Sequence, residues 1–109
     1  MTKKSATKIY HPAKVFKCAA HELQVNPEAI TKYGGNDKHL FMARDLIIYF
    51  LHTYTALSHA DIGHALGLPT RQSSANSINR VNAALKSKDI KTLFVKDNYK
   101  KIKESIDKL

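Results

Sequence analysis

Thr70, Arg71, Gln72, Ser73, Asn76, Asn79 and Arg80 fall within one short stretch, and no residue from 70 to 87 is a carboxylate. Amide, hydroxyl and guanidinium side chains together offer donors and acceptors that match the edges of base pairs and the oxygens of phosphates. The lack of carboxylates removes the repulsion that a polyanion would meet. An arginine such as Arg71 can donate two parallel hydrogen bonds to the O6 and N7 of a guanine, which no shorter side chain reproduces. Other combinations are weaker. None of His11, His21, His39, His52, His59 and His64 forms an i, i+4 pair with carboxylate support, the layout of a helical zinc site, so no metal or other cofactor is expected. Cys18 and His21 lie one helical turn apart, but a nucleophile would need a third, orienting group, and a small core cysteine is the simpler reading. No enzymatic activity and no small-molecule substrate are expected.

For the polar stretch to act as a reading surface it must be carried on a helix, and the apolar spacing supplies one. Ser74, Ile78, Val81 and Leu85 step by four, three and four, which predicts a helix from about Thr70 to about Ser87 with its polar residues outward. Ahead of it, Ser58 with Asp61 resembles a capping box, Ile62, Ala65 and Leu66 give an apolar face, and Gly67 is a stop. Residues 58–87 thus have the layout of a helix-turn-helix, although an αα-hairpin without any ligand has the same spacing.

The remaining elements follow the same logic. Pro12 suits the first turn of a helix carrying Val15, Ala19 and Leu23, and Asn26 with Pro27 and Glu28 starts a short one ending near Tyr33. Gly34, Gly35 and Asn36 predict a loop. Leu40, Ala43, Ile47, Phe50, Leu51 and Tyr54 form the strongest helical period in the chain, the expected central strut. Ile90, Leu93 and Phe94, then Tyr99, Ile102, Ile106 and Leu109, predict one or two closing amphipathic helices with lysines opposite. No period-two strand occurs, so the expected class is all-α.

With 109 residues, 43% of them hydrophobic, the chain can build one core, expected over residues 12–109 behind a flexible basic arm at residues 1–11. Eighteen Lys and Arg against nine Asp and Glu leave a formal charge of +9, concentrated in the two flanks, which favours a polyanionic partner. Residues 1–8 lack the apolar run of a signal peptide. The longest apolar stretch, residues 46–51, is too short to cross a bilayer, and Cys18 has no second cysteine to pair with. No membrane partner is expected, and the cytoplasm is the expected compartment.

Ala43 and Arg44, the helix up to Tyr54, Ser58, Ile62 and Gly63, then Leu66 and Gly67, resemble the C-terminal domain of DnaA, the bacterial chromosomal replication initiator. The similarity runs over about residues 12–109. It implies a six-helix, Trp-repressor-like fold that binds double-stranded DNA and acts at the nucleoid in replication control or transcription regulation, with replication proteins as further partners. After the turn the family reads Gly, Arg, Asp, His, Ser or Thr, Thr, Val, where this chain has Leu68, Pro69, Thr70, Arg71, Gln72, Ser73 and Ser74. Carried over by position, the DNA-touching residues become Thr70, Arg71, Gln72 and Ser73, so the target sequence differs from the family's box. The family's basic residue on the third helix is Arg44, while its following Gln is replaced by Asp45 and a later Lys by His52. No glycine-rich phosphate loop is present, so nucleotide hydrolysis is not expected.

The expected DNA-binding set is therefore Lys38, Arg44 and Ser58 toward phosphates, His59 beside them, and Thr70, Arg71, Gln72, Ser73, Asn76 and Arg80 on the helix that enters the groove. The alternative is a protein–protein interaction module reusing the same fold, which the altered signature favours.

Overall fold

The computed structural model describes residues 10–31, 38–67 and 71–109, apart from the side chains at positions 31, 38, 71 and 91. Six α-helices follow one another: α1 (Pro12–Leu23), α2 (Pro27–Thr31), α3 (Lys38–Tyr54), α4 (His59–Leu66), α5 (Arg71–Lys86) and α6 (Leu93–Asp107). A single 3-10 turn, Ile90–Thr92, precedes α6, and no strand occurs among the described residues. The chain is all-α, as its periodicity requires.

The middle helix explains the packing. Ala43, Leu46, Ile47, Ile48 and Phe50 of α3 have no exposed surface, so this helix is apolar on several sides rather than along one stripe. A helix of that kind must be surrounded, and α3 contacts each of the other five. Val15, Ala19 and Leu23 from α1, Ile30 from α2, Ile62 and Leu66 from α4, Val81 from α5, and Val95, Ile102 and Ile106 from α6 join it in one core.

Local chemistry sets the ends. His11 caps α1, its Nδ1 accepting from Ala13 N at 3.1 Å, with Pro12 in the first turn. Asn26 Oδ1 accepts from Glu28 N at 2.8 Å at the start of α2. Tyr10 N donates to the Tyr54 carbonyl at 2.8 Å and its ring lies 6.1 Å from that of Tyr54. Tyr10 and His11, which the sequence assigns to the arm, are thus fastened to the helical body. The rest of the arm and the loop at Gly34–Gly35 lie outside the described residues.

Two expectations about burial change. Ile90, Leu93 and Leu109, placed by their spacing in the closing apolar stripe, are 76%, 47% and 47% exposed. For Ile90 the 3-10 turn breaks the α-helical register with the buried Val95; Leu93 lies two residues before Val95 on α6 and so on its opposite face, and Leu109 follows the end of the helix, leaving Val95, Ile102 and Ile106 as the stripe that packs. Cys18 is half-buried, and its thiol donates to Ser105 Oγ at 2.9 Å between α1 and α6. No helix among the described residues is long and apolar enough to cross a membrane.

Candidate nucleic-acid interface

Helices α4 and α5 pack on one another and both rest on α3. The first is started by a complete capping box: Ser58 Oγ accepts from Asp61 N at 3.1 Å, and Asp61 Oδ2 accepts from Ser58 N at 3.3 Å. It ends at Gly67 with φ 68°, a left-handed conformation that costs a residue with a Cβ roughly 1–2 kcal/mol. Gly67 thereby gives the sharp exit that a helix-turn-helix needs. Thr70 lies outside the described residues, as do the side chains of Lys38, the first residue of α3, and Arg71, the first of α5.

Side chains divide α5 lengthwise. Ser74, Ser77 and Val81 are buried against the body, while Gln72, Asn76, Asn79 and Ala83 are exposed along the opposite side and Ser73 is half-buried between. Gln72 Nε2 donates to Asn76 Oδ1 at 3.1 Å. This bond leaves the Gln72 carbonyl oxygen and the Asn76 N–H groups unused by it. An amide donor with an amide acceptor is the combination that pairs with the N7 and N6 of an adenine.

His59 and Arg80, two of the expected contacts, have partners inside the protein. His59 Nδ1 lies 3.0 Å from Ser74 Oγ, fixing the start of α4 to the buried side of α5. The same ring stacks on His52 of α3, with centroids 4.4 Å apart and planes within 14°. Partial burial, then the like charge of His59, holds the His52 imidazole below its usual range. Arg80 reaches back to α3, where Nε donates to Asp45 Oδ2 at 2.8 Å and Nη2 to Asp45 Oδ1 at 2.9 Å. Arg44, one residue earlier on α3, is half-buried.

Sequence spacing does not reveal two of these features, the His52–His59 stack and the Asp45–Arg80 pair. Asp45 does carry a signal, as a carboxylate set directly before the apolar run at 46–51. A charge in that place needs a partner from another element.

Set against models of known protein families, the chain matches none, and no curated protein is similar enough to count as a relative.

Proposed function

We propose that this chain is a sequence-selective duplex-DNA-binding domain that inserts α5 into the major groove. The observation that carries the reading is the outward stripe Gln72–Asn76–Asn79, free of carboxylates and borne on a helix held against α3 and α4. Such a stripe has no packing role, yet it is composed of the side chains that read base edges. A net charge of +9 and the resemblance to the C-terminal domain of DnaA support it further and favour a role at the nucleoid in replication control or transcription regulation. Arg71, at the N-terminal end of α5, and Gln72 are the residues proposed to read bases. Lys38 and Arg44 are the proposed phosphate contacts.

Selection from random duplexes with the purified chain, followed by gel shift across a salt series, tests this. An enriched motif is expected, bound with an affinity that falls steeply with salt because several condensed cations are released. Recovery of no motif, or binding flat in salt, would overturn it. The exposed Ile90 and Leu93 favour a second reading, a protein-interaction module, which the absence of a motif would support.

A further inference from the structure

Arg80 shares a helix with the amide stripe, yet its guanidinium reaches toward α3 while the side chain stays 46% exposed. Two of its nitrogens hold both oxygens of Asp45 at 2.8 and 2.9 Å, Nη2 also donates to Ser77 Oγ at 3.1 Å, and the group lies 4.7 Å from the centre of the Phe41 ring. Asp45 is 5% exposed and Ser77 3%. Asp45 and Phe41 belong to α3, so the contact spans the two helices. A planar fork engaged at two edges and lying over a ring is held in place, and the carboxylate it neutralises is too deeply buried to follow it elsewhere. Together with the His59–Ser74 contact six residues earlier on α5, it fixes the rotation of that helix about its own axis.

That rotation matters because of leverage. A roll of about 20° moves the outer atoms of a helix 5–6 Å in radius by roughly 2 Å. Such a shift is enough to lose a base hydrogen bond.

We propose that Asp45, Arg80 and Phe41 form a positioning clamp that sets the roll of α5, so that Arg80 determines which bases Gln72 and Asn76 can read without touching DNA itself. The proposal rests on the duplex-binding reading above. Arg80 is on this account a positioning residue, and the hydrogen bond to Asp45 also holds its guanidinium above the ordinary arginine range.

The test uses the full chain, a selected duplex and a scrambled one, with Asp45→Asn, Arg80→Ala, Arg80→Lys and the Asp45→Asn/Arg80→Ala double variant. Each is titrated at several salt concentrations, at a temperature where circular dichroism shows it folded. Expected is a fall of about tenfold in the ratio of selected to scrambled affinity for Asp45→Asn and for Arg80→Ala, corresponding to one lost base contact. The double variant should be no worse than either single one, and the salt slope should be unchanged. Arg80→Lys keeps the charge but not the fork and should lose the same selectivity, which carries the comparison if Arg80→Ala unfolds. Equal weakening on both duplexes by Arg80→Ala, with a slope smaller by about one phosphate and selectivity intact in Asp45→Asn, would overturn the clamp. A wild-type chain that binds neither duplex at low salt would overturn instead the reading on which it rests.

Discussion

Gln72 and Asn76 are exposed and bonded to each other, with no other side-chain bond among the described residues, so their replacement separates recognition from stability. Asn76→Ala should leave thermal unfolding within about 0.5 kcal/mol of wild type, as surface substitutions do. It should nevertheless cost about 1–3 kcal/mol of discrimination at one base pair of a selected site. Arg71→Ala should flatten preference at a neighbouring position, whereas Lys38→Ala should weaken selected and scrambled duplexes alike, because a phosphate contact carries no sequence information. Titration of the four proteins against both duplexes checks this; an unchanged ratio in Asn76→Ala and Arg71→Ala would show that α5 is not the reading head.

At the scale of elements, α4 is short and depends on its first turn. Ser58→Ala removes the side-chain acceptor at Asp61 N, and a loss of about 1 kcal/mol is expected in a denaturant melt. The His52–His59 stack joins α3 to α4 and gives stability a sign with pH. His52 binds its proton more weakly in the folded chain than its ordinary value of 6.5 implies, so the unfolded chain takes up more protons on acidification. Stability from this group is present above about pH 6.5 and is lost as pH falls through the folded value. The drop in melting temperature between about pH 7.5 and about pH 5.5 should be smaller in His52→Gln than in wild type. An equal drop would detach the stack from the acid response. Elements of this kind are legible in the sequence because each is specified within a few residues: Ser58 with Asp61, Asn26 ahead of Pro27, Pro12 ahead of Val15 and Ala19. The same local pattern puts Ser74, one step of an apolar period, on the inward side, where the structure has it. What spacing misses is of longer range. Arg80 and Asp45 are 35 positions apart, and no spacing rule links an arginine on one helix to a carboxylate on another. Spacing assigns Ile90 to the packed stripe because it does not distinguish a 3-10 turn from the first turn of an α-helix. The outward amide stripe is legible for the opposite reason, since an exposed face follows from the buried one.

For the molecule as a whole, the excess positive charge is greatest outside α3 and α4, toward the two ends of the chain. Removing residues 1–9, which spares the Tyr10 anchor, should reduce affinity for every duplex equally if the basic arm follows a groove, and should leave selectivity and melting temperature alone. Unchanged affinity would mean that the arm is idle. The position of α3 has a dynamic consequence as well. A small peripheral helix such as α2, which contributes only Ile30 to the core, can detach while the rest stays packed, but α3 touches all five neighbours and cannot be released by the departure of any one. Its buried amides from Ala43 to Leu51 should therefore exchange with solvent deuterium only through complete unfolding, at rates that track global stability, while α2 exchanges through cheaper partial openings. The slowest-exchanging amides of this protein should thus cluster in one helix near the middle of the chain, and a denaturant series of exchange rates should bring the other helices up to meet it.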